Sequence, residues 1–95
     1  MSRKIKLSPF SLKVYKVILK IPLGQVRTYK WVAKKIGKPK AFRAVGQVLK
    51  HNPLPLIIPC HRIIRSDGEI GGYIWGKQIK KRILDYEKKI AKLMV

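Results

Sequence analysis

Thr28-Tyr29-Lys30-Trp31-Val32-Ala33-Lys34-Lys35-Ile36-Gly37-Lys38-Pro39-Lys40-Ala41-Phe42-Arg43-Ala44-Val45-Gly46-Gln47-Val48-Leu49-Lys50 is the stretch that decides the fold. Thr28 is suited to cap a helix, because its hydroxyl accepts from a first-turn amide, so a short helix is expected over residues 29–36. Gly37 fits the C-terminal cap, where the backbone turns left-handed. Lys38-Pro39 makes a tight turn, and a further helix is expected over residues 40–50, stopped by Asn52-Pro53. Two short helices joined by a turn containing glycine read as a helix-turn-helix, the unit that lays a helix in a DNA groove. In the second of these helices Ala41, Ala44, Val45, Val48 and Leu49 are expected to point inward. Arg43, Gly46, Gln47 and Lys50 share the opposite face by their i, i+3, i+4, i+7 spacing. An ordinary amphipathic helix would show the same two faces.

Working outward, Ser8-Pro9 starts a first helix, serine as cap and proline at the first helical position. Phe10, Val14, Val17, Ile18 and Ile21 mark its apolar face to about residue 20, and Pro22-Leu23-Gly24 breaks it. Downstream, Leu54-Pro55-Leu56-Ile57-Ile58-Pro59 is apolar and held extended by its prolines. Ile63-Ile64 and Glu69-Ile70 flank Arg65-Ser66-Asp67-Gly68, a pattern that predicts a β-hairpin. A last helix is expected over residues 77–92, with Ile79, Ile83, Tyr86, Ile90 and Met94 as its core stripe and Glu87 on the inner side. The fold class expected is mainly α with a small β-hairpin, a winged-helix-like helix-turn-helix domain spanning residues 1–95 as one unit.

Lys and Arg number 23 against 4 acids, a net charge of +19. The acids Asp67, Glu69, Asp85 and Glu87 all lie beyond residue 66, so the first two-thirds of the chain has no negative side chain. Such a field destabilises the compact state by self-repulsion and attracts polyanions, which makes nucleic acid the leading partner. A lysine-rich solvated surface of the thermophile kind accounts for the lysines but leaves the missing acids unexplained. An anionic membrane surface would call for a basic amphipathic helix with an aromatic-rich face, which is not found. No apolar run approaches about 18 residues, so no membrane span is expected. The basic start lacks an apolar h-region, so no signal peptide is read and a cytoplasmic, nucleoid-associated protein is expected.

Cys60 is the only cysteine, which excludes an intrachain disulfide and a cysteine-based zinc site, since His51 and His61 are the only other soft ligands. Neither metal nor cofactor is expected. Pro59-Cys60-His61-Arg62 follows the buried apolar run directly. A thiol with a free pKa of about 8.5 needs a base or a positive field to act as a nucleophile. His61 is adjacent, near enough to connect through one water, and a histidine base works best when a carboxylate orients it. Glu87 is the carboxylate expected to be buried. A buried cysteine beside a structural histidine is the competing account of the same residues.

Arg43-Ala44-Val45-Gly46, Asn52-Pro53, Ile58-Pro59-Cys60-His61-Arg62 and Gly71-Gly72-Tyr73 through Gly76 occur in an order and spacing that resembles the O6-alkylguanine-DNA alkyltransferases. The likeness covers about residues 10–87 and is to the catalytic C-terminal domain of that family. The N-terminal domain usual there, with any zinc site it carries, has no counterpart in these residues. The resemblance implies that Cys60 is the alkyl acceptor, His61 its water-mediated base, Glu87 the carboxylate that orients His61, and Asn52 the brace of the active-site turn. It implies that Arg43 enters the base stack in place of a flipped guanine and that Tyr29 helps rotate the 3′ phosphate and borders the pocket. Tyr73 and Ile74 would close over the base, and the backbone carbonyls at Cys60 and Ile63 would accept from the guanine amino group. Trp75 stands where many relatives have a small residue, so it is expected to set the width of the pocket.

The chemistry suits these roles. The O6 carbon lies inside a duplex, so the base must be extruded, and a mispairing lesion lowers that cost. A side-chain wedge of this kind enters from the minor groove, whose narrowness favours small contact residues such as Ala41, Ala44 and Gly46. Binding to double-stranded DNA by a monomer, largely independent of sequence, would draw its affinity from backbone charge and from Arg43 and Gln47. The implied reaction is a single-turnover transfer of an alkyl group from O6-alkylguanine, with O4-alkylthymine a further candidate lesion. A non-catalytic lesion-recognition protein of the alkyltransferase-like type is the first alternative, although that group lacks the acceptor cysteine and Cys60 is present. A helix-turn-helix transcription regulator with a structural cysteine is the second. A thiol hydrolase finds no oxyanion-hole segment to support it.

Overall fold

Ser8 opens the fold with an extended backbone, and its hydroxyl accepts the Ser11 amide at 3.1 Å, so that α1 (Pro9–Ile18) starts on a side-chain cap. The structure is a computed structural model that describes residues 8–94, and the basic start read for a leader, residues 1–7, lies outside them. The Pro22–Gln25 turn follows α1, and the chain then makes β1 (Arg27–Thr28). Thr28 caps α2 (Tyr29–Lys35), its hydroxyl accepting the Trp31 amide at 3.0 Å. A turn through Gly37 leads to α3 (Phe42–Lys50). A 3-10 turn (Cys60–Arg62) and β2 (Ile63–Ile64) follow, and α4 (Lys77–Leu93) closes the order.

The core is built where α1, α2 and α3 meet. Val14, Tyr15 and Ile18 pack with Val32, Ala33, Val45 and Leu49, and Ile58, Cys60 and Ile63 extend the cluster toward α4. The Tyr15 hydroxyl donates to the Val48 carbonyl at 3.1 Å, so the first helix is fastened to the third by a polar contact as well as by packing. The helix-turn-helix read from residues 28–50 is thus present, its second helix beginning at Phe42 because Lys40 and Ala41 belong to the preceding turn. Ala44 is exposed beside Arg43 and Gln47, not inward as expected, while Phe42 packs against the core.

Three further expectations need correction. The apolar run 54–59 is neither extended nor buried throughout, because it turns at Leu56, φ 76°, and leaves Leu54, Leu56 and Ile57 exposed. The hairpin does not form: its turn is there, closed by Arg65 N–H to the Glu69 carbonyl at 3.0 Å and by the Asp67 carboxylate accepting the Glu69 amide. Gly71, at φ 78°, then turns the chain away, and Ile63-Ile64 pairs instead in parallel with β1, Arg27 opposite Ile63 and Thr28 opposite Ile64. The core stripe of α4 is also rotated. Ile79, Tyr86, Ile90 and Met94 are exposed, whereas Lys80 and Glu87 are buried. The surface that α4 covers offers backbone carbonyls, an imidazole and a guanidinium, so its inner face must supply hydrogen bonds, and apolar side chains cannot.

Gly24 shows how closely α4 sits. At φ 86° it lies against that helix, and an added Cβ would stand 2.7 Å from the Ala91 Cβ. Gly37 has a similar φ of 78° with open space around it. Gly37→Ala is therefore expected to lose about 1 kcal/mol in urea unfolding, the strain of a left-handed alanine. Gly24→Ala is expected to lose roughly 2–4 kcal/mol, because overpacking adds to the same strain. Equal losses would mean that α4 moves aside at little cost.

Candidate active site and nucleic-acid interface

Asn52 sits just past α3, its amide bonded to the Leu49 carbonyl at 3.2 Å. Its side chain spans the apolar loop, donating to the Ile58 carbonyl at 2.8 Å and accepting the Leu54 amide at 2.9 Å. The loop so closed delivers Pro59 into the 3-10 turn, which the Arg62 amide closes on the Pro59 carbonyl at 3.0 Å. Cys60 and His61 are consequently both buried although they are consecutive. Burial pushes the Cys60 thiol up, and the Asn52 side chain and the Lys80 ammonium partly oppose that shift.

Behind the thiol lies a polar cluster. His61 Nε2 is 2.8 Å from Glu87 Oε2. Arg62 holds the same carboxylate through Nε to Oε1 and Nη2 to Oε2, both 2.9 Å, and its Nη1 donates to the Ile21 carbonyl at 2.9 Å. Burial works to raise the Glu87 carboxyl, but the Arg62 and His61 hydrogen bonds outweigh it and hold the group below the usual carboxylate range. Burial pushes the His61 imidazole down despite Glu87, and Arg62 and Lys80 add to the effect. At neutral pH the cluster is therefore a carboxylate facing a neutral imidazole. Nε2 carries the proton, since the carboxylate can only accept, and Nδ1 is left with a lone pair.

Lys80 is fully buried, and its ammonium donates to the Ile63 carbonyl at 2.6 Å and the Gly72 carbonyl at 3.2 Å. Burial pushes it down to about 8. It joins β2, after the 3-10 turn, to the glycine loop at Gly72. Neither Lys80 nor Arg62 was among the residues expected at the site. Arg62 stands inside the Pro-Cys-His-Arg run, whereas Lys80 is one of several bases beginning α4, and only its seven-residue spacing from Glu87 places the two on one face.

A cavity of about 520 Å³ opens between the helix-turn-helix and this cluster. Tyr29, Gly46, Leu49 and Lys50 form one wall, and Cys60, Gly72, Tyr73 and Ile74 the other. Tyr29, Cys60, Tyr73 and Ile74 are thus brought together as expected. Ile63 and Trp75 fall outside the lining. Ile63 is wholly buried with its carbonyl engaged by Lys80, and Trp75 stands edge-on to Tyr73 at 5.7 Å. A second cavity of about 560 Å³ lies across Tyr29 and Gly46, with Arg43, Lys30 and Arg65 on its walls. Arg43, Ala44, Gln47 and Lys50 are exposed along α3, while Ala41 is half-buried in the turn before it. Arg27 of β1 and Lys35 of α2 both place their side chains over the Trp31 ring, at 5.3 and 5.5 Å.

Residues 9–89 match the family described as 6-O-methylguanine DNA methyltransferase, DNA binding domain. A methylated-DNA–protein-cysteine methyltransferase of Methanosarcina barkeri is 48% identical over 88 residues, covering 88% of this chain and 56% of that protein. The crystal structure of Mycobacterium tuberculosis OGT in complex with DNA superposes with a TM-score of 0.86 at 42% identity, covering 88% of this chain and 52% of that one. S. pombe Atl1, in complex with damaged DNA containing O6-carboxymethylguanine, superposes with a TM-score of 0.76 at 35% identity, covering 87% of this chain and 79% of that one. The chain spans about half the length of the curated relatives it matches.

The two pKa directions in the cluster fix how stability responds to acid. Unfolded His61 titrates near an ordinary value of about 6.5, whereas the buried imidazole resists protonation, so the unfolded state binds the proton first. Stability is expected to fall as pH drops below about 6.5, and again below about 4.3, where the depressed Glu87 carboxylate begins to lose its advantage. Urea unfolding of the wild type against pH checks this, with His61→Phe expected to abolish the upper of the two declines. An upper decline that persists in His61→Phe would place it on another group.

Proposed function

This chain belongs to the 6-O-methylguanine DNA methyltransferase family, matching its DNA binding domain, and we propose that it repairs DNA by taking the alkyl group of O6-alkylguanine onto Cys60. One observation carries the reading: Cys60 lines a cavity of about 520 Å³, roomy enough for an extruded base and walled by the helix-turn-helix, with the His61–Glu87 pair next to it. The likeness to a relative crystallised with DNA supports the partner, and the +19 charge supplies the attraction to its backbone.

In this reading α3 approaches the minor groove of double-stranded DNA with its exposed Arg43, Ala44 and Gln47, and Gly46 leaves room at the wall of the cavity. Arg43 fills the stack as the damaged guanine swings out past Tyr29, and Tyr73 and Ile74 close over it. Burial keeps Cys60 a thiol until a base acts. His61 accepts the thiol proton at Nδ1 through a water, while Nε2–H stays on Glu87. The Cys60 sulfur then attacks the alkyl carbon in line, the carbon–O6 bond breaks, and its electrons leave with guanine, whose ring nitrogen takes up through water the proton that His61 had removed from the thiol. The Lys80 ammonium favours the thiolate while it lasts. The product is a thioether, so each molecule acts once.

A second reading is recognition of the lesion without transfer, and the likeness to S. pombe Atl1 in complex with DNA containing O6-carboxymethylguanine favours it. Intact mass after incubation with an O6-methylguanine duplex separates the two. Gain of one methyl group, lost in Cys60→Ala while DNA binding persists, is expected. A bound, folded protein of unchanged mass would support recognition alone.

Arg43→Ala is expected to slow transfer from duplex DNA roughly 100-fold or less, within the range in which misplacing a reacting group acts, and to leave transfer from the free base nearly unchanged. Equal losses on both substrates would show that Arg43 does something other than fill the stack.

A further inference from the structure

Two polar atoms near the cavity are buried without a protein partner among the described residues: His61 Nδ1 and the Tyr73 hydroxyl. A buried polar group left unpaired costs about 1–3 kcal/mol. Two of them beside one reactive thiol point to a small polar partner that both can hold. The rings stand edge to face with centroids 6.2 Å apart and planes at 75°, and Tyr73 shares the cavity wall with Cys60. Each atom has one role open to it. His61 Nε2 is engaged by Glu87, so Nδ1 can only accept. Burial, with Cys60 and Glu87 adding, pushes the Tyr73 phenol up to about 12, so the hydroxyl stays protonated and able to donate.

We propose that Tyr73 is a positioning residue whose hydroxyl, together with His61 Nδ1, holds one water against the Cys60 sulfur and so fixes the path by which the thiol loses its proton. This rests on the reading of Cys60 as alkyl acceptor and adds to it, because there Tyr73 serves only to close over the base. The protons balance. The thiol gives its proton to the water oxygen, the water gives one of its own to Nδ1, and the sulfur is left as thiolate. The Tyr73 O–H donates to the water throughout and is not consumed. Trp75, edge-on to Tyr73, fixes the ring that carries the hydroxyl.

The other groups acting on the thiol and the imidazole are Asn52, Tyr15, Tyr29 and Lys80, with Glu87 and Arg62 behind them. All remain in Tyr73→Phe, which keeps the ring and removes only the hydroxyl. The test uses iodoacetamide on the protein without DNA and follows the rate of Cys60 alkylation against pH. Tyr73→Phe is expected to react roughly fivefold more slowly at neutral pH, the effect of about one hydrogen bond. It should converge on the wild type at high pH, where hydroxide forms the thiolate directly. In a His61→Gln background the same substitution should add nothing, because the shared water has lost its acceptor. Overlaid wild-type and Tyr73→Phe profiles, or an equal slowing with and without His61, would overturn the proposal. Since no DNA is present, a protein that shows this coupling yet takes no methyl group from a duplex would keep the inference and lose the repair reading.

Discussion

Glu87 is the group on which the rest of the site depends. Its carboxylate takes one contact from His61 and two from Arg62, and Arg62 continues to the Ile21 carbonyl, so one side chain of α4 joins the 3-10 turn to the break after α1. A buried carboxylate is tolerated only when it is paired, and removing one partner of such a pair costs about 3–5 kcal/mol. The same contacts decide where the proton sits. A carboxylate held ionised can only accept, so it draws the His61 proton to Nε2 and leaves Nδ1 a lone pair, the state that the proposed transfer needs. Stability and the position of the His61 proton are therefore set by one arrangement, with Arg62 keeping Glu87 charged and burial keeping His61 neutral.

Lys80 is the counterpart of Glu87 one face-length earlier on α4. It replaces the missing ladder between the strand at Ile63 and the glycine loop at Gly72, where the expected hairpin would have supplied backbone hydrogen bonds. With Lys80 and Glu87 on its inner face, α4 is tied to the domain by directed bonds as well as by packing. Gly24 then has to be small for the helix to come close enough to make them.

Much of the domain was legible in the residues. Ser8 and Thr28 announced their caps, Gly37 its turn, and the apolar spacing of residues 10–21 with Val45, Val48 and Leu49 much of the core, although Ala44 was expected inward and is exposed. Tyr29, Cys60, Tyr73 and Ile74 were expected around one pocket and do meet there. What could not be read depended on partners distant in the chain. Ile63-Ile64 looks equally fit to pair with Glu69-Ile70 or with Arg27-Thr28, and only the turn at Gly71 decides. The stripe on α4 misled for a physical reason: apolar periodicity identifies the core side only when the core is apolar. Lys80 is one lysine among many until the carbonyls it binds are known. Trp75 was expected in the pocket because of its position, but its ring is taken up by Tyr73.

The central claim is that burial keeps His61 a neutral imidazole while Glu87 draws its proton to Nε2 and leaves a free lone pair on Nδ1. Nitrogen-15 NMR of the histidine-labelled protein at neutral pH reports this directly, because the two ring nitrogens shift apart according to which carries the proton. The account predicts a protonated-type resonance for His61 Nε2 and an unprotonated one for Nδ1, with the pattern lost in Glu87→Gln. An imidazolium at neutral pH, or a proton on Nδ1, would contradict it.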